Sequence, residues 1–67
     1  METSPPLAAN LKRIRLERGW THDDAALATG MDAEVLEGVE RGSTFISRAT
    51  VEELARRLGV ELRQLLG

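Results

Sequence analysis

Residues 21–40 read THDDAALATGMDAEVLEGVE, and their spacing of small and apolar side chains predicts two short helices joined by a tight turn. Four positions carry the residue types that such a pair needs: Ala26, Gly30, Leu36 and Val39. A small side chain at Ala26 lets the helices approach where they cross, and Gly30 can adopt the left-handed conformation of the turn. Leu36 and Val39 anchor the second helix while its other face stays free. The stretch has the pattern of a helix-turn-helix motif.

Charge is distributed unevenly around this motif. The formal net charge of the chain is −2, but residues 21–40 contain six acidic side chains and no Lys or Arg. The basic side chains flank the motif, since residues 10–20 have a net charge of +3 and residues 41–67 a net charge of +2. Nucleic-acid affinity depends largely on the neutralisation of phosphates by Lys and Arg. A helix-turn-helix motif is typical of DNA-binding proteins. The negative charge of residues 21–40 therefore opposes the function that the motif indicates.

Length and composition exclude several classes of protein. The 67 residues suffice for one small domain with a binding surface, and we do not expect a deep substrate cleft. With no cysteine and one histidine, we expect no disulfide, no metal site and no cofactor. Asp23, Asp24 and Glu34 are carboxylates without a nucleophile or a metal cluster, so we assign no catalytic residue and do not expect an enzyme.

The chain also lacks the sequence signals of a membrane or secreted protein. No apolar run approaches the roughly 18 residues that a membrane span requires. The N-terminal residues METSPPLAAN have neither the basic flank nor the apolar core of a signal peptide. We therefore expect a cytoplasmic protein.

Glycines at positions 19, 42 and 59 separate further stretches of helical periodicity. The pattern predicts an all-α domain of five helices, at about residues 7–18, 22–29, 33–40, 51–58 and 61–66. Thr50 and Glu53 predict a capping box at the start of the fourth helix. In the loop 43–49 we expect Phe45 and Ile46 to fill the core. Residues 1–6 are assigned to a flexible lead-in and residues 7–67 to the helix-turn-helix domain.

Three segments carry a resemblance to a known family: LKRIRLERGWT at 11–21, VERG at 39–42 and ATVEELARRLGVELRQLL at 49–66. Over residues 7–66 the chain resembles the phage-repressor/Cro-like, or xenobiotic-response-element-type, helix-turn-helix family. The resemblance implies a compact five-helix, lambda-repressor-like domain that regulates transcription. It implies binding to double-stranded DNA as a homodimer, with helix three in the major groove. It also implies a partly buried ion pair between Arg15 and Glu40.

The resemblance assigns base contacts to Ala33, Glu34 and Gly38, with Glu37 beside them. Ala33 can touch only a thymine methyl, and Glu34 can accept a hydrogen bond from a cytosine amine. Gly38 has no side chain to contact a base and costs a helix about 1 kcal/mol relative to Ala. We interpret it as a glycine on an exposed face, which indicates either tolerated drift or the close approach of a partner.

Contacts to the DNA backbone are assigned to seven polar side chains that lie outside the base-reading positions. These are His22, Arg41, Ser43, Thr44, Arg48, Arg13 and Arg18. The residue that opens helix two contacts a phosphate in the family, and here it is His22. For each of these residues, the alternative is a solvated surface side chain without a ligand.

A second function remains open at this point. The acidic face of helices two and three would suit a protein-interaction module that retains the fold and binds a basic partner. The two readings differ in the charge around helix three, because a negative patch without a basic rim favours the protein partner. Leu27 is expected to be exposed and is a candidate contact with another protein.

Overall fold

The structure, a computed structural model, describes residues 4–67 and contains five α-helices in that range. Helix α1 spans Ser4–Glu17, α2 His22–Thr29, α3 Ala33–Arg41, α4 Arg48–Leu58 and α5 Leu62–Leu66. These residues contain no β-strand. The predicted all-α class is confirmed, and each of the five predicted helices is present.

Helix α1 begins three residues earlier than the apolar spacing predicts. Its first turn contains Pro5 and Pro6, and proline is tolerated there because the missing N–H groups have no partner within the helix. Residues 4–6 are therefore helical. The remainder of the predicted flexible lead-in, residues 1–3, lies outside the described residues.

Helix α4 also begins earlier than predicted, because its N-cap is Ser47. The hydroxyl oxygen of Ser47 accepts a hydrogen bond from the backbone N–H of Thr50 at 3.1 Å. The prediction of Thr50 as the N-cap was wrong. Ser and Thr are both good N-cap residues. Ser47 is the cap because it directly precedes the first turn of α4, where backbone N–H groups have no partner within the helix.

One hydrophobic core holds the helices together. Its buried apolar residues are Leu7, Leu11, Ile14, Ala25, Leu36, Val39, Val51, Leu54, Ala55, Leu58 and Leu65. Helix α1 packs against α3 and α5, whereas α2 packs against α3 and α4. In α1 the apolar side chains at i, i+4 and i+7, Leu7, Leu11 and Ile14, belong to this core. Both predicted anchors of α3, Leu36 and Val39, belong to it as well.

The connection between α3 and α4 differs from the prediction in one of its two apolar residues. Ile46 packs against the core, as expected, but Phe45 is 77% exposed and does not fill it. Along residues 43–47 exposed and half-buried residues alternate, as they do in an extended segment with one side against a surface. In this register Thr44 and Ile46 turn inward, and the ring of Phe45 points to solvent.

The turn between α2 and α3 has the predicted conformation. Gly30 has φ of +75°, and its N–H donates to the carbonyl of Ala26 at 2.8 Å. Only glycine adopts this left-handed conformation readily, so the turn fixes the angle at which α3 leaves α2. None of the helices in residues 4–67 combines the length and the apolar character that crossing a membrane requires.

Candidate nucleic-acid interface

Helix α3 is strongly two-sided. Leu36 and Val39 are buried on its inner side. Its outer side carries the exposed side chains of Glu34, Glu37 and Arg41, with Ala33 half-buried at its start. A helix of nine residues held by one face leaves the other face free for a ligand.

A buried ion pair ties the end of α3 to α1. Arg15 Nε donates to Glu40 Oε2 at 2.8 Å, and Arg15 Nη2 donates to Glu40 Oε1 at 3.0 Å. The third guanidinium nitrogen, Nη1, donates to the carbonyl of Trp20 at 2.8 Å. The pKa of Arg15 is raised because the Glu40 carboxylate accepts its hydrogen bonds, and this outweighs the opposing effect of burial. The two-point contact fixes the rotation of α3 relative to α1.

His22, at the start of α2, joins the same group. Its Nε2 lies 3.1 Å from Glu40 Oε1, and the side chain is about one third exposed. The residue is therefore not a solvated first-turn side chain, because one ring nitrogen faces the buried carboxylate. Its contact with a phosphate stays a prediction.

Lys12 is a residue of this region that the sequence reasoning missed. Together with His22 and Arg41 it lines a shallow depression of about 160 Å³ above the Arg15–Glu40 pair. Lys12 precedes Arg15 by three residues in α1, and residues three apart lie on the same side of a helix. That spacing, combined with the expected ion pair, is a signal from which Lys12 could have been found.

The outer side of α3 is acidic but bordered by cations. Glu37 forms a salt bridge with Arg41 at 3.0 Å, and both side chains are about half exposed or more. Asp32 is the N-cap of α3 but accepts no capping hydrogen bond through its side chain. Glu34 and Asp32 form no salt bridge within residues 4–67. The negative charge is thus concentrated at the start of α3 and partly neutralised at its end.

Gly38 is not on an exposed face, which corrects the sequence-based interpretation. It is buried beneath the chain that follows α3, and its carbonyl accepts hydrogen bonds from the backbone N–H groups of Ser43 at 2.9 Å and Thr44 at 3.2 Å. A Cβ atom on Gly38 would overlap Thr44 Oγ1 and lie 3.0 Å from Thr44 Cβ. Glycine is needed here because the loop approaches the helix closely, so Gly38 offers no surface to a base.

The remaining candidates fall into two groups. Ser43, in the connection after α3, and Arg48, at the start of α4, are exposed, and Arg48 Nε lies 3.4 Å from Glu52 Oε2. Arg18 donates to the carbonyl of Leu58 at 2.9 Å, and its guanidinium carbon lies 5.2 Å from the centre of the Trp20 ring. Arg18 therefore has a structural role, because it binds a carbonyl at the end of α4.

Arg13 lies on the exposed side of α1. Its Nη2 donates to Asn10 Oδ1 at 3.4 Å, and its Nη1 lies 3.6 Å from Glu17 Oε1. Exposed pairs of this kind are worth about 0–1 kcal/mol, so Arg13 remains available for other partners. Among residues 4–67, no three His, Asp or Glu side chains come together as a group that could hold a metal ion.

The family model described as "Helix-turn-helix domain" matches residues 6–66, which is nearly the whole chain. The chain belongs to this helix-turn-helix family. The motif consists of α2, the turn at Gly30 and α3, as the apolar spacing predicts. The resemblance of the chain to helix-turn-helix proteins is confirmed.

Proteins with similar sequences and structures include a hypothetical transcription factor and a restriction-modification controller protein. The "hypothetical transcription factor" of Neisseria meningitidis serogroup B is 35% identical over 60 residues, which cover 90% of this chain and 57% of that protein. This chain thus spans little more than half the length of that curated relative. The crystal structure of a hypothetical transcription factor from Neisseria matches with a TM-score of 0.88 and 32% identity, over 98% of this chain and 76% of the other. The restriction-modification controller protein C.AhdI from Aeromonas hydrophila matches with a TM-score of 0.80 and 30% identity, over 90% and 91% of the two chains.

In this helix-turn-helix domain, the contact between Gly38 and Thr44 gives a test of packing. We expect Gly38→Ala to lower the free energy of unfolding by about 1 kcal/mol, because overpacking costs roughly 1–3 kcal/mol and the better helix propensity of Ala returns about 1 kcal/mol. In a Thr44→Gly background the clash is absent, and the same substitution should stabilise the domain. Urea denaturation of the four variants measures both effects. An equal effect of Gly38→Ala in the two backgrounds would contradict the assigned contact.

Proposed function

We propose that this domain is a DNA-binding transcriptional regulator that presents α3 to the major groove of a duplex. The observation that supports this most is the way α3 is held. Buried apolar residues and the Arg15–Glu40 pair fix its inner side, and its outer side stays exposed. A helix of this diameter fits the major groove, where base edges carry a distinct pattern for each base pair.

Cations near α3 suit the phosphates of such a duplex. Lys12 and Arg41 line the depression above the ion pair, together with the imidazole of His22, and Arg48 begins α4. The salt bridges of Arg41 and Arg48 are exposed, so a phosphate can replace the carboxylates at little cost. These contacts would position the protein without specifying a sequence.

The acidic groups limit how this surface can read a base sequence. Glu34 is exposed on the outer side of α3 and forms no salt bridge within residues 4–67. Its carboxylate can accept a hydrogen bond from a cytosine amine. Ala33 is restricted to a thymine methyl. We infer that few bases are read directly and that the shape of the DNA contributes to specificity.

The second function considered above, a protein-interaction module, requires an acidic face without a basic rim. The basic residues beside α3 argue against it, because they would repel a basic partner at the border of the acidic patch. We further infer a homodimer, since helix-turn-helix proteins commonly bind two half-sites about one helical turn apart. The proposed compartment is the cytoplasm, and we assign the domain no catalytic activity.

The experiment that tests the proposal is selection from a pool of randomised duplexes with the purified protein. It is run at low salt and again near physiological salt. Recovery of one motif at both salt concentrations would support a sequence-specific regulator, and a palindromic motif would support the dimer. Absence of any enrichment by folded protein would refute DNA binding and leave the acidic face as a surface for a basic protein.

Substitution of the bordering cations should change the salt dependence of binding. For Lys12→Ala, Arg41→Ala and Arg48→Ala we expect weaker affinity for every duplex, with the slope of log affinity against log salt reduced by about 1 for each lost contact. Titration of a selected duplex at several salt concentrations measures the slope. The matched control is Arg63→Ala, an exposed arginine on α5 that pairs with Glu61 at 3.2 Å. If the three variants behave like the control, α3 does not dock in this way.

A further inference from the structure

The connection between α3 and α4 holds an exposed aromatic ring on a fixed backbone. At its start, Ser43 donates to the carbonyl of Gly38 from both its backbone N–H, at 2.9 Å, and its hydroxyl, at 3.2 Å. At its end, Ser47 caps α4 through Thr50. Phe45 lies between these two anchors and is 77% exposed. The ring is therefore presented to solvent by an anchored segment.

The segment that carries this ring has arginines on both sides of it in the sequence, each in an exposed salt bridge with a glutamate outside the segment. Residues 41–51 contain Arg41 and Arg48 and no acidic residue. Both arginine side chains are well exposed, at 63% and 70%. Because these salt bridges are exposed, phosphates can replace the glutamates at little cost. An exposed aromatic side chain on such a segment suits a nucleic acid, which offers phosphates to the arginines and bases to the ring.

The connection between α3 and α4 lies directly against α3 at Gly38. Gly38 has no side chain, and Thr44 covers it. At the position of Gly38 the surface is thus formed by the connection and not by the helix itself. The connection therefore presents side chains of its own beside those of α3.

We propose that Phe45 is a specificity-determining residue that contacts an apolar group on a base edge, the 5-methyl group of thymine. This inference rests on the proposed function, because it requires α3 to approach a duplex. Apolar contact with the thymine methyl is one of the ways in which a side chain distinguishes bases in the major groove. Exposure of the ring in the free domain leaves its surface available for that contact.

A contact between Phe45 and thymine predicts how much the 5-methyl group contributes to affinity. Replacement of the contacted thymine by uracil removes only the methyl group, and burial of one such group corresponds to about a fourfold change in affinity. We expect the wild-type protein to bind the uracil duplex about fourfold more weakly at one or two positions. Phe45→Ala should bind the thymine and uracil duplexes equally at those positions.

The experiment uses the duplex most enriched by the wild-type protein in the selection described above. Each thymine is replaced by uracil in turn, and affinities are measured for the wild-type protein, Phe45→Ala and Leu16→Ala. The last variant is the matched control, because Leu16 is a large exposed apolar residue on α1, at 56% exposure. The salt slope of Phe45→Ala should equal that of the wild type, since phenylalanine has no charge.

The outcomes separate the two proposals. Loss of thymine preference in Phe45→Ala but not in Leu16→Ala would support the inference. A wild-type protein that selects a motif, with a uracil effect that Phe45→Ala retains in full, would overturn the inference and leave DNA binding intact. A changed sedimentation coefficient of Phe45→Ala, with equal losses on all duplexes, would overturn it in favour of a contact between copies. Selection of no motif by the wild type would refute the proposed function and this inference with it.

Discussion

Glu40→Ala is expected to destabilise the domain by about 3–5 kcal/mol, because it leaves the Arg15 guanidinium buried without its carboxylate. The side chains of Arg15 and Glu40 are only 10% and 6% exposed, so water cannot replace the lost partner without rearrangement. A domain of this length has a total unfolding free energy on the order of 3–10 kcal/mol, at roughly 0.05–0.15 kcal/mol per residue. The expected loss thus equals a large part of the total, and it reaches the whole at the lower end of that range. Circular dichroism and urea denaturation measure the loss.

Two further variants show whether charge burial is the cause. In the double variant Arg15→Met with Glu40→Leu, both charges are absent, and we expect much of the lost stability to return. Glu37→Ala removes an exposed carboxylate of the same helix and should change stability by no more than about 1 kcal/mol. If Glu40→Ala costs as little as Glu37→Ala, the ion pair contributes nothing that depends on its burial.

Leu65→Ala is the second substitution with a large expected effect, a loss of about 2–5 kcal/mol. Leu65 is fully buried and belongs to the five-residue helix α5, which packs against α1. Its backbone carbonyl also accepts a hydrogen bond from Asn10 Nδ2 at 2.8 Å. Truncation of the side chain would leave a cavity where α5 meets α1, and so short a helix has little stability of its own.

The measurement is again urea denaturation, with Leu66→Ala as the matched control. Leu66 is the next residue of the same helix and is only half-buried, so its truncation should cost distinctly less. Comparable effects of the two substitutions would mean that α5 is not packed through Leu65. Retention of the wild-type midpoint by Leu65→Ala would show that α5 adds nothing to the core.

Local sequence patterns predict much of this fold because the relevant forces are local or periodic. The stripe of Leu7, Leu11 and Ile14 indicates the buried side of α1 without knowledge of its partners. Gly30 predicts the turn because few other residues adopt its conformation. The position of Leu36 and Val39 then determines which side of α3 is exposed, and most of the candidate site follows from it.

The errors arise where contacts across the fold decide the outcome. The periodicity of α3 alone predicts that Gly38 is exposed, but the next segment of the chain folds back over it. Phe45 has the character of a core residue, yet the anchoring of Ile46 and Thr44 turns it outward. Lys12 joins the site only because α1 and α3 meet. Periodicity within one element contains no information on such meetings.

The hydrogen bond between Asn10 and Leu65 has a consequence for synthesis of the chain on the ribosome. It joins the first helix to the last across 55 residues, and the apolar side of α1 is completed only by α5. At about 5–20 residues per second, translation of that interval takes roughly 3–11 s. Helix α1 leaves the exit tunnel earlier than α5 by this interval, and until α5 follows, the side of α1 that α5 covers is open to water and to chaperones. We therefore expect folding of the domain to complete only after Leu65 has left the exit tunnel.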